Sequence, residues 1–171
     1  MKKVFVSGSR SISKFNAIIK NEIIRLVHNE YEILVGDANG VDKAIQIILD
    51  DMKYPYVLVY HVGDKPRNNV GNWKEINVIT KNKKGTFDYF SEKDIKMSDK
   101  CDFALVIWDN ESRGALCNAI RVLSMGKKIR IYSGNEKKVF SIDSTDVFRE
   151  IYGDDVVPSN LFSSSQVLEL F

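Results

Sequence analysis

Apolar residues along this chain cluster in short dense runs at residues 3–7, 32–35, 56–61, 103–108 and 128–132, each dominated by Val, Ile, Leu, Phe or Tyr. These runs are nearly continuous rather than alternating, as expected of strands covered on both faces, the usual condition in a parallel sheet. Between them the period changes to three and four. Phe15, Ile18, Ile19, Ile23, Leu26 and Val27 fall on one helical stripe behind a cap at Ser13. Val41, Ala44, Ile45, Ile48 and Leu49 form a second stripe after Gly40. Residues 113–125 form another, with Leu116, Ala119, Ile120 and Leu123 inward and Gly126 as its stop. Strand and helix in alternation predict an α/β fold: a doubly wound, mostly parallel, Rossmann-like sheet with helices on both faces.

Two regions depart from that rhythm. Residues 62–88 carry Gly63, Pro66, Gly71 and Gly85 with several Asn and Lys, and read as a long insertion. Phe90 to Asp99 then reads as a short helix entering the strand at Phe103. Beyond Gly134 a helix is expected over 139–151, followed by an irregular end marked by Pro158 and Ser163-Ser164-Ser165. The expected organisation is one Rossmann-like domain over 1–135, with 136–171 as an extension packed on it. The apolar tail, Val167 to Phe171, is a candidate for docking on a neighbouring subunit.

Composition narrows the classes without choosing one. With 171 residues, 44% of them hydrophobic, the chain can bury one good core. Its 25 basic and 23 acidic residues leave +2, too little to argue for a nucleic-acid or acidic-membrane surface. No apolar stretch is long enough to span a bilayer. The opening apolar run stops at Val6, so no signal peptide is expected. Cys101 and Cys117 form neither a disulfide framework nor a zinc pattern, and fit reduced thiols in a cytoplasmic protein. No metal-ligand cluster and no cofactor motif are present to predict either group.

The candidate chemistry lies where strands run into glycine. Ser7-Gly8-Ser9-Arg10 ends the first strand with a cup of backbone N–H groups, two hydroxyls and a guanidinium able to fork onto an anion. Gly36-Asp37-Ala38-Asn39-Gly40 ends the second, where Asp37 can accept from hydroxyls or amines and Asp42 suits the start of the next helix. The third element, Trp108-Asp109-Asn110-Glu111-Ser112-Arg113-Gly114, follows the fourth apolar run before the helix at 113. There Ser112 and Gly114 can hold phosphate, and Trp108 reads either as a base-stacking ring or as a strand-end core residue. In the insertion, Lys65, Arg67, Asn68, Asn69, Asn72 and Trp73 read either as a clamp for an anionic, ring-bearing ligand or as a polar surface loop. His28 sits where it complements a helix end, and His61 follows the third strand. Glu92, Asp94, Asp99, Asp109 and Glu111 are acids with either a catalytic or a capping reading.

Taken in order, Gly8-Ser9-Arg10, Gly36-x-Ala-x-Gly-Val-Asp42 and Ser112-x-Gly-x-x-x-Asn118 resemble the SLOG superfamily, most closely its YspA/YpsA-like branch. That group is related to the Lonely Guy phosphoribohydrolases and to the DNA-processing protein family. The resemblance spans residues 3–132. It implies a nucleotide-type small-molecule ligand in a crevice at the C-terminal edge of the sheet, and a homodimer or higher homo-oligomer. Hydrolytic relatives carry Gly-Gly-x-Gly-Thr-x-x-Glu. Aligned on its last glycine, this chain has Ala115 for the threonine and Asn118 for the catalytic glutamate. An Asn amide can bind a ribose hydroxyl but cannot serve as general base or nucleophile. The expectation is therefore a binding or sensing module. The alternative is an enzyme cleaving or transferring an N-glycosidic bond with Asp37, or another acid, as its carboxylate.

Overall fold

A computed structural model describes residues 1–156. The elements run β1 (Lys3–Gly8), α1 (Ala17–His28), β2 (Glu32–Gly36), α2 (Val41–Asp51), β3 (Val57–His61), β4 (Lys74–Asn77), α3 (Phe87–Lys100), β5 (Phe103–Trp108), α4 (Arg113–Ser124), β6 (Lys128–Ser133), β7 (Lys138–Ile142) and α5 (Thr145–Tyr152). Seven strands form one sheet in the order β4-β3-β2-β1-β5-β6-β7. All pairings are parallel except β6 with β7. The chain steps outward from β1 through β2, β3 and β4, then returns to place β5 on the other side of β1. The order thus reverses between β1 and β5, which stay paired to their C-terminal ends, Gly8 opposite Ile107, while the chain leaves them in opposite directions across the sheet.

Strand residues divide by parity, as the period of two requires. Val4, Val6, Ile33, Val35, Val59, Leu105 and Ile107 share one core cluster with Ile19, Ile23 and Leu26 of α1 and Ile45 and Leu49 of α2. Phe5, Leu34, Ala104, Val106, Ile129 and Ile131 share another with Met97 of α3, Ala119 and Ile120 of α4 and Phe148 of α5. The five apolar runs read from sequence are therefore five of the seven strands described, β1, β2, β3, β5 and β6.

Three expectations need correction. The residues from 139 are not one helix: Lys138–Ile142 pairs antiparallel with β6, and α5 begins only after Ser144, whose hydroxyl accepts from the Val147 N–H. A hairpin turn over Gly134–Lys137 and the Asp143-Ser144 break separate the two elements. The insertion at 62–88 holds a strand, β4, hidden from sequence reading because its edge position leaves only Ile76 partly buried. Ser13 does not cap α1; Asn16 does, its Oδ1 accepting from the Ile19 N–H at 3.0 Å. The expectations for Pro158, the serine run and the apolar tail lie outside the described residues. No helix among the described residues is long and apolar enough to cross a membrane.

Candidate functional site

A cavity of about 460 Å³ opens at the C-terminal ends of β1 and β5. Ser7, Gly8, Ser9 and Arg10 form one wall, and Ser112, Arg113, Gly114 and Ala115 at the start of α4 form the next. Phe87, Phe90 and Ser91 on α3 face them, while Ala38, Asp42, Lys93, Asp94 and Asn118 also reach the cavity. The first and third glycine turns therefore meet at a single cavity, joined there by Ala38 of the second.

Close packing shapes the first turn. A Cβ on Gly8 would come within 2.5 Å of the Ile107 carbonyl oxygen and 2.6 Å of Val41 Cγ2, so α2 packs directly on this turn. Ser9 is fully buried; its N–H donates to the Ile107 carbonyl and its Oγ accepts from the Asp109 N–H at 3.0 Å. Asp109 does not line the cavity. It braces the third turn by accepting from the Glu111 and Ser112 N–H groups and from the hydroxyls of Ser11 and Ser112. Burial pushes this carboxyl up, but those hydrogen bonds outweigh it and hold the pKa well below the usual range.

The second turn and the inserted loop hold one another. Arg67 donates to both Asp37 oxygens, from Nη2 to Oδ1 at 2.6 Å and from Nε to Oδ2 at 3.0 Å, with its backbone N–H also on Oδ2. Burial of Asp37 raises its pKa, but the Arg67 hydrogen bonds and the Lys93 charge outweigh that and leave it lowered. Asn68 Nδ2 bridges the Asp37 carbonyl and Asn39 Oδ1, while Gln46 Nε2 donates to the Gly36 and Asn68 carbonyls. Asn69 donates to the Trp73 carbonyl and to Glu75, and Trp73 Nε1 donates to the Tyr54 carbonyl. Thus Gly36, Asp37, Asn39, Gly40, Arg67, Asn68 and Asn69 build the framework behind the cavity rather than its lining.

Trp108 is also outside the cavity. It is 1% exposed, donates from Nε1 to the Ser112 carbonyl at 3.1 Å and packs edge-on against Tyr152. His61 is 2% exposed at the end of β3, with Nε2 4.0 Å from Glu75, and takes no part in the cavity lining.

Sequence reading passed over the aromatic wall and Lys93, and named Asp42, Asp94 and Asn118 without bringing them to one floor. Arg113 lies over the Phe87 ring at 4.9 Å, while Arg67 and Arg10 lie over Phe90 at 4.5 and 5.8 Å. On the floor, Lys93 Nζ is 2.6 Å from Asp94 Oδ1 and 3.9 Å from Asp42 Oδ2. Asn118 Nδ2 donates to Ser7 Oγ at 2.8 Å and to Asp94 Oδ2 at 3.2 Å, and its Oδ1 accepts from Arg121 at 2.6 Å. The available signal was the spacing of Phe90, Lys93 and Asp94, which a helix places on one face.

Burial raises the Asp42 pKa to about 6, against the opposing charge of Lys93. A carboxyl with a folded-state pKa above its unfolded value binds its proton more tightly when folded. Stability on its account therefore falls as pH rises from 3.8 to about 6, and the penalty is complete above that window. The expected size is about 3 kcal/mol, at roughly 1.4 kcal/mol per pKa unit. Urea unfolding of wild type and Asp42→Asn across this range should show the fall in wild type only. Asp37 acts in a lower window: its contribution holds above its unfolded pKa and is lost as pH falls through the depressed folded value.

Comparison of the chain with protein-family models, curated proteins and solved structures finds no match in any of the three.

Proposed function

We propose that the protein binds a nucleotide-type ligand in the β1/β5 crevice, as a sensing or binding module. The observation that carries this reading is the convergence of complementary groups on one cavity. The α4 N-terminus offers backbone N–H groups, Ser7 and Ser112 offer hydroxyls, Arg10 and Arg113 offer positive charge, and Phe87 and Phe90 offer flat apolar rings. Anions favour the positive end of a helix dipole, and planar bases favour aromatic faces. In the same reading, the two core clusters correspond to the two faces of a doubly wound sheet, whose reversal point is the usual place for such a ligand. Thermal-shift and calorimetric titration with nucleoside phosphates, dinucleotides and NAD test it. Arg10→Ala should weaken whichever ligand binds by about tenfold or more, the scale of a charge-assisted hydrogen bond. A panel in which no nucleotide stabilises the wild-type protein sinks the reading.

Cleavage or transfer of an N-glycosidic bond is the second reading, favoured by carboxylates on the cavity floor. Asp37 is committed to Arg67, so the acids with access to a bound ligand are Asp42 and Asp94. Release of free base from a nucleoside phosphate or NAD, abolished by Asp94→Asn, would favour this reading over simple binding.

A further inference from the structure

We infer that Asp94 selects ligands carrying a free 2′-hydroxyl on the sugar, so that the cavity prefers ribonucleotides to their 2′-deoxy counterparts. This rests on the nucleotide reading and adds an orientation to it. The cavity is divided by charge. Its rim carries Arg10 and Arg113 beside the α4 N-terminus, with no carboxylate on those walls among the described residues. Its floor is balanced, Asp42 and Asp94 standing against Lys93 and Arg121, both of which are buried. An anionic group is attracted to the rim and gains nothing at the floor. A neutral hydrogen-bond donor fits the floor.

Asp94 is the more open of the two acids that could accept from that donor. Asn118 fits the role less well, since it is 4% exposed, its amide nitrogen is engaged by Ser7 and Asp94, and its oxygen, which accepts from Arg121, carries no charge. Asp42 meets the Ala38 N–H and Lys93 through Oδ2 and is the more enclosed of the two acids, its side chain 10% exposed. Asp94 gives one oxygen to Lys93 and the other to Asn118, and its side chain remains 19% exposed toward the cavity. Each carboxylate oxygen has a second acceptor direction. The two partners fix the carboxylate in place, so a ligand hydroxyl meets an oriented, charge-assisted acceptor. Phosphate at the rim then puts the sugar over Asp94 and the base toward Phe87 and Phe90.

The test is calorimetric titration of AMP, GMP, CMP and UMP, each against its 2′-deoxy counterpart, into wild type and Asp94→Asn. Wild type should prefer the ribo form of the nucleotide it binds by roughly tenfold or more, as for a hydrogen bond to a charged group. Asp94→Asn should level the two forms mainly by losing affinity for the ribo form. If that variant unfolds, Asp94→Glu keeps the charge against Lys93 while displacing the acceptor, and should also shrink the preference. Equal wild-type affinity for both forms, or a preference that survives in the variants, overturns the inference while leaving nucleotide binding intact. Failure of all eight compounds to bind wild type overturns the inference, and silence across the wider ligand panel as well would remove the reading beneath it.

Discussion

Lys93→Met should lower the stability of the fold by about 3–5 kcal/mol, the usual cost of removing one partner from a buried ion pair. The residue is 4% exposed. Burial pulls its pKa down, but the charges of Asp94 and Asp42 and the hydrogen bond to Asp94 outweigh that and leave it raised. A lysine with a raised folded-state pKa contributes its full stabilisation below its unfolded value, so the contribution is complete at neutral pH. Methionine fills a similar volume and removes the ammonium that Asp42 and Asp94 share. Two further measurements separate charge from packing. Adding Asp42→Asn to Lys93→Met should recover part of the loss by removing one uncompensated carboxylate. The deficit of the single variant should also shrink in acid, where Asp42 takes up a proton. Urea unfolding at matched pH reads each of these. A Lys93→Met protein within about 0.5 kcal/mol of wild type, the range of ordinary surface substitutions, would show that the floor is not held electrostatically.

Gly40→Ala should damage both the fold and the ligand cavity. Gly40 stands before α2 with φ +82° and ψ −129°, a backbone region open almost only to glycine. Its missing Cβ is also needed as space: the added atom would lie 2.5 Å from Arg10 Cα and 2.6 Å from Arg10 C. Backbone strain alone is worth about 1–3 kcal/mol, and the clash falls on the residue assigned here to the anion. Nucleotide affinity should therefore fall together with thermal stability. Gly126→Ala supplies the control, because Gly126 has φ +70° but faces open space. It should show strain without loss of affinity. If Gly40→Ala keeps wild-type affinity, the second turn does not position Arg10.

The glycine turns were legible because their signal is local. A β-branched run, a glycine and a helical stripe lie within about a dozen residues, and chain connectivity alone brings them together. The edge strand β4 was not legible, since Lys74, Glu75 and Asn77 are exposed and leave no apolar alternation to read. The hairpin strand β7 was missed for a related reason. Val139, Phe140 and Ile142 fit either period over so short a span, and pairing with β6 decided between them. Asp37 illustrates the limit most clearly. Its position in a glycine turn made it a natural ligand group, yet Arg67, 30 residues away, occupies both of its oxygens.

By itself the sequence determined a parallel sheet punctuated by glycine turns, because burial on both faces demands continuous apolar strands and tight strand–helix turns demand small residues. Tertiary structure alone decided which polar groups face the cavity. Asp42, Lys93, Asp94 and Asn118 come from three separate helices, and only the packing of α2, α3 and α4 around β1 makes them neighbours. Trp108 was decided the same way, turned from a possible ligand platform into core by Phe148 and Tyr152 arriving from α5. Local periodicity records what a segment must bury; the partner of a buried charge is set by contacts between segments distant in the chain, and no local pattern encodes it.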